Sequence, residues 1–270
     1  MAAGSTSFAS AAVTTEHWWC SPPPRDRRSC CCVAIDGPPP DRPDLATYSQ
    51  EEQLSLGTAP TWDSPDILTN WWSPFRLMPE VSVTVRNLSP TAAAVNGQVL
   101  LYTSPFGLGM PQSLLSALAV SLAPGQSTTL LFPLTQAILN GTDQRIGTYV
   151  RIVHPSDRHL INNRGAQLLA DAYCSAVGRS FSVTFPVMNP LSSSQQITLS
   201  VLPNVLNAVV QPATRVFNPL EQVIATLNLQ VPGSLHGTAG APIRQDATVA
   251  AYGADGNLIG GLTYVIWIDN

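Results

Sequence analysis

The sequence predicts an all-β protein, two consecutive antiparallel sandwiches preceded by a proline-rich extended arm, and three observations point there. Apolar and polar residues alternate with a period of two in a series of short segments beyond residue 80. Only 11% of the 270 residues are charged, less than half the usual fraction of about 25%, so long solvent-facing helices would lack their charged face. Pro22, Pro23, Pro24, Pro38, Pro39, Pro40 and Pro43 crowd the N-terminal part, where each removes a backbone donor from any helix or sheet.

Residues 1–61 are read as the arm. It carries Trp18, Trp19, Val33 and Ile35, apolar groups that cost roughly 25 cal/mol per Å² to leave in water, so it is expected to lie against its own sandwich or a neighbouring subunit. Trp18, Trp19 and Ile35 are the expected anchors of that contact.

Residues 62–174 form the first expected sandwich. In Val81-Ser82-Val83-Thr84-Val85-Arg86-Asn87 the valines share one face. The segments 98–102, 128–132 and 147–153 repeat the signal, separated by turn material such as Ala123-Pro124-Gly125-Gln126. The stretch 111–120 reads as a helical turn or a crossing loop. Residues 175–270 form the second sandwich, from Phe181, Val183 and Phe185 through Ile197, Leu199 and Val201, then 225–231 and 247–252. Asp255-Gly256 between two apolar runs is a hairpin signal before 258–268. The expected cores are Val81, Val83, Val85 and Leu101, and Phe181, Val183, Phe185, Leu199 and Leu227.

Trp62-Asp63-Ser64-Pro65-Asp66-Ile67, then Val83-Thr84-Val85-Arg86-Asn87 and Val99-Leu100-Leu101-Tyr102, resemble the pattern of bacterial CARDB-like, immunoglobulin-like modules. His154-Pro155-Ser156-Asp157 and Asn162-Asn163-Arg164-Gly165-Ala166-Gln167 resemble the end of such a module, where a turn leads into the last strand. Phe185-Pro186-Val187-Met188-Asn189-Pro190-Leu191 and Ile259-Gly260-Gly261-Leu262-Thr263 are similar to the bacterial immunoglobulin-like domains that follow such modules. The resemblance implies two tandem immunoglobulin-like sandwiches over 62–270 and is nearly silent on function, because such sandwiches serve adhesion, scaffolding and carbohydrate display alike. Leu68-Thr69-Asn70-Trp71-Trp72 departs from the pattern.

Little catalytic chemistry is visible. His17 and Cys20, with Cys30, Cys31 and Cys32, offer soft donors for zinc, yet three adjacent thiols fit one tetrahedral ion poorly; packing as small apolar groups is expected, with a disulfide or thiol cluster formed after assembly as the alternative, and no metal or cofactor. His154, Asp157 and His159 are candidates for a hydrolase-like ligand or base set. The simpler reading is a turn in which Asp157 accepts backbone N–H groups. Gly107-Leu108-Gly109 lacks the third glycine of a dinucleotide loop, and nucleophile elbows, phosphate loops and calcium loops are missing. Trp71 and Trp72 are a candidate aromatic platform for carbohydrate or a partner. The sequon Asn140-Gly141-Thr142 reads as chance.

A net charge of −4 with arginine as the only long cation supplies no basic field for nucleic acid. No run approaches the ~18 apolar residues that cross a bilayer, and the small, hydroxylated start lacks a signal's charged and apolar regions. The expectation is cytoplasmic synthesis without a cleaved signal, the final site lying within an assembled particle. The sequence therefore predicts a non-enzymatic structural or assembly protein whose sandwiches and arm dock on copies of itself or on a larger particle, a capsid, tail, injection-particle or filament component. An adhesin or carbohydrate-binding module is the alternative, and a hydrolase using the His/Asp loop the remote one.

Overall fold

The computed structural model describes residues 41–69, 80–134, 145–174, 177–235 and 242–268. The chain divides into two units, Met1–Pro38 and Pro39–Asn270, and every described residue belongs to the second. The described residues form strands β1 to β16 and one six-residue helix, α1 (Gln50–Ser55), so the all-β class is the observed one.

In the first sandwich, β1 (Leu45–Ala46) and β2 (Ile67–Thr69) follow one another along one side of β3 (Glu80–Asn87), and β6 (Ser127–Pro133) takes its other side. The facing sheet runs β5 (Ser113–Leu122), β4 (Ala94–Pro105), β7 (Ile146–Val153), β8 (Arg164–Gln167). Alternation decides which groups meet: Val81, Val83 and Val85 are wholly buried against Val99, Leu101, Val150 and Ile152. The chain passes from the first sheet (β3) to the second (β4, β5), back (β6), and across again (β7, β8), the crossing order of an immunoglobulin-like Greek key.

The second sandwich pairs a sheet of β10 (Ser180–Met188), β14 (Gln222–Gln230) and β12 (Asn207–Gln211) with a sheet of β13 (Thr214–Phe217), β11 (Gln195–Val201), β15 (Ile243–Tyr252), β16 (Leu258–Ile268) and β9 (Leu169–Cys174). Its core includes Phe185, Leu199 and Leu227, with Phe181 and Val183 half-buried beside them. The hairpin read from Asp255-Gly256 is present: Gly256 has φ +78°, and the Asp255 carboxylate accepts the Asn257 N–H at 3.0 Å.

Each sandwich closes the end of its β3- or β10-type strand with a buried asparagine. Asn87 donates to the carbonyls of Ala92 and Leu122 and accepts from the N–H groups of Asp44 and Ser89. Asn189 donates to Ser193 and Asn218 and accepts from Leu191 and Gln195. One amide side chain thus satisfies loop groups that would otherwise be buried unpaired.

Three readings are corrected. Residues 113–122 form strand β5, not a helical turn or loop; apolar groups on both of its sides obscure the period. The first sandwich begins before residue 62, because β1 pairs with β3 and α1 packs on β8, so 41–61 is not arm. It also ends before 174: β8 passes through the single residue Leu168 into β9, which pairs in parallel with β16.

Candidate functional site

The Trp62 motif builds a joint between the sandwiches. The Trp62 N–H donates to Thr263 Oγ1 at 2.9 Å, and its carbonyl accepts the Leu168 N–H at 2.9 Å. The indole, 2% exposed, lies over Gly261, where a Cβ would come within 2.5 Å of ring atoms Cζ2 and Cζ3. Asp63 accepts from Arg244, whose guanidinium also donates to Asp246 at 3.0 Å. The bonds to Asp246 and Asp63 hold the arginine above its ordinary range. Asp66 turns back to the first sandwich and takes both terminal nitrogens of Arg86.

A second joint uses the Gly-Leu-Gly stretch. Leu108 bridges Val187: its N–H donates to the Pro186 carbonyl and its carbonyl accepts the Met188 N–H, both at 2.9 Å. Gly109 has φ +68° and stands against the Met188 carbonyl with no room for a Cβ. The two glycines therefore allow one strand residue to be added to the edge of β10.

The His/Asp loop is a structural clasp. Asp157 accepts the N–H groups of Leu45 and His159, each at 2.9 Å, as the turn reading expects; burial nevertheless pushes its carboxyl above the ordinary range. His159 Nδ1 pairs with Asp44 at 2.9 Å, and Asn162 donates to the other Asp44 oxygen. His154 reaches instead to the Val95 carbonyl. The side chains of the three candidate residues thus bond to different partners rather than to one another.

Beside the Trp62 joint lies a cleft of about 580 Å³. Its floor is the outer face of the β4–β7–β8 sheet, and register sets two rows across it. Tyr102, Tyr149 and Ala166 stand opposite one another in the first row; Leu100, Arg151 and Arg164 do so in the second. Gln50 and Glu51 of α1 form one wall, Trp62 with Leu258, Ile259 and Gly260 the end, and Gln112 the mouth. Gln50 is already engaged, because its amide donates to Ala166 O at 2.7 Å and accepts Ala166 N–H at 3.1 Å.

The opposite side of the first sandwich is made by β5 and β6. Among the described residues neither has a strand on its free side. The sequence carries no charged residue from Asn87 to Thr142, and Leu114 and Leu131 are 57% and 55% exposed there.

Trp18, Trp19, Ile35, Trp71 and Trp72 lie outside the described residues, as do His17, Cys20, Cys30, Cys31, Cys32 and the sequon. The cleft residues escaped the sequence reading. Alternation put Tyr149 and Arg151 on one face, but only strand register sets them beside Tyr102 and Arg164.

No family model and no curated sequence matches this chain. Among solved structures, an MSP-domain-like protein of Caenorhabditis elegans is 14% identical over 36% of this chain and 94% of its own, with a TM-score of 0.24. The tip adhesin of Pseudomonas aeruginosa is 7% identical over 83% and 95%, at 0.24. The elastase-activated α2-macroglobulin of Escherichia coli is 11% identical over 85% of this chain, which spans 22% of that one, at 0.30. At such identities and scores the likenesses carry no functional argument.

Proposed function

We propose that the chain is a non-catalytic assembly protein whose first sandwich, a module of the CARDB-like kind, docks edge to edge on another copy of itself. The supporting observation is the side formed by β5 and β6. Sheet edges ordinarily carry charges, prolines or bulges that discourage pairing with another chain. Here the edge strands Ser113–Leu122 and Ser127–Pro133 contain no charge; Pro133 stands only at the end of β6, the register shifts of the β4–β5 ladder fall at Ala94/Gly97 and Leu101/Tyr102, and one exposed leucine stands on the outer face of each strand's sheet. A surface that meets its own copy must not repel itself, and a charge-free one meets that condition. Strand pairing supplies backbone hydrogen bonds, and the leucines supply apolar contact.

Light scattering on the full chain at micromolar concentration tests the reading. A dimer or larger species is expected, and Leu114→Lys with Leu131→Lys is expected to return it to a monomer with an unchanged melting temperature. A monodisperse wild-type monomer, or equal association of the double variant, overturns it.

A further inference from the structure

We propose that the cleft beside Trp62 is a binding site for an acidic saccharide, with the sugar carboxylate held between Arg151 and Arg164 and the ring laid on Tyr102. The proposal rests first on the arginine pair. Arg151 and Arg164 stand directly opposite each other on neighbouring strands, an arrangement that disfavours the sheet unless an anion joins it. The protein supplies little compensation. Glu51 lies 3.9 Å from Arg164 at the rim, with both side chains well exposed, and Arg151 makes no ion pair with the described residues. In a chain this poor in charge, two facing cations form a prepared carboxylate site, because each guanidinium offers a fork of donors matched to a carboxylate.

The neighbouring row gives the other half of the ligand. Tyr102, half-buried, is paired across the ladder with Tyr149, so an apolar ring face adjoins the anion site at the spacing of one strand repeat. A pyranose has such a combination, an apolar face for an aromatic ring and polar groups around its edge. Gln112 is exposed at the mouth for hydroxyl groups. A volume near 580 Å³ suits a short oligosaccharide. An extended peptide fits less well, since strand addition needs free backbone groups and those of Ala166 on β8 are already taken by Gln50.

Calorimetry at low salt on the full chain tests the proposal with a hexuronic-acid tetramer, its neutral hexose counterpart and a tetraglutamate peptide as probes. The uronic tetramer is expected to bind, with the neutral one and the peptide each about tenfold weaker or worse. Arg151→Gln and Arg164→Gln, both at exposed side chains, are each expected to lose about tenfold in affinity while the melting temperature of the free protein holds or rises slightly, since the facing charges repel, and added salt is expected to weaken binding. Glu51→Gln removes the competing carboxylate and is expected to tighten binding about two- to threefold. Absence of binding at millimolar tetramer, equal affinity in the arginine variants, or peptide binding as tight as the sugar's overturns the proposal. None of these substitutions touches the β5–β6 edge, so its failure leaves the assembly reading standing.

Discussion

Gly261→Ala probes the seating of the first sandwich on the second. An added Cβ would lie within 2.5 Å of the Trp62 ring, and that indole is held at its backbone by Thr263 and Leu168, so neither partner can step aside. Overpacking of this kind costs about 1–3 kcal/mol. The reduction in unfolded-chain freedom gained by replacing glycine returns only about 0.4–1 kcal/mol. For a unit of this size a net loss near 1–2 kcal/mol lowers the melting temperature by roughly 2–8 °C. The cause is isolated by Trp62→Phe, whose smaller ring leaves space for the new methyl while itself costing about 1–2 kcal/mol. In that background Gly261→Ala should cost less than about 0.5 kcal/mol, giving a coupling energy of about 1 kcal/mol or more between the two sites. Denaturant unfolding of wild type, both single variants and the double variant measures all four corners. Equal losses from Gly261→Ala in both backgrounds, or wild-type stability of the single variant, would refute the account of the Trp62 joint.

Truncation distinguishes the arm from the sandwich. A chain lacking 1–40 should keep the far-ultraviolet spectrum and melting temperature of the full protein, whereas one lacking 1–61 loses β1, Asp44 and Gln50 and should unfold in its first sandwich; equal behaviour of the two would contradict the assignment of 41–61. The Asp157 clasp should leave a signature in acid. Burial raises its pKa above the ordinary 3.8, so the group favours folding most below that pH, and its contribution falls as pH rises through the raised value. Asp157→Asn lacks this dependence and leaves one of the two N–H groups without an acceptor, at about 1–3 kcal/mol. The stability gap between wild type and variant should therefore narrow as pH rises above the ordinary value of 3.8, and a gap that widens in that direction would contradict it.

Much of the fold was legible because β3, β7, β10 and β14 have one face in a core and one in water, which writes a two-residue period into the sequence. Where that condition fails, the signal fails. In β16, residues 261–266 are buried on both faces, since Gly261 and Thr263 meet the Trp62 strap while Leu262 and Tyr264 face the core, and the segment shows no alternation of polar and apolar faces. β5 mixes Leu, Ala and Ser on both sides at an edge, and reads as readily as helix. β1, β2 and β8, of two to four residues, are too short for any period. The Trp62 motif was visible as a motif, but its purpose depends on Gly261 and Arg244 almost two hundred residues away. The cleft was hidden for a related reason: its arginine pair joins strands whose alignment is set by register, and no single segment of the sequence shows it.

The passage of β8 into β9 through Leu168 also has a mechanical meaning. A load drawn from the first sandwich reaches β9 at its Leu169 end, while a load on the C-terminal strand acts at the Ile268 end of β16. The two strands run parallel, from Leu169 beside Thr263 to Cys174 beside Ile268, so opposing pulls enter the ladder at opposite ends. The six residue pairs are then strained together in shear, rather than peeled open one after another. With only Leu168 between β8 and β9 to absorb extension, tension along the molecule is resisted by a whole ladder at once.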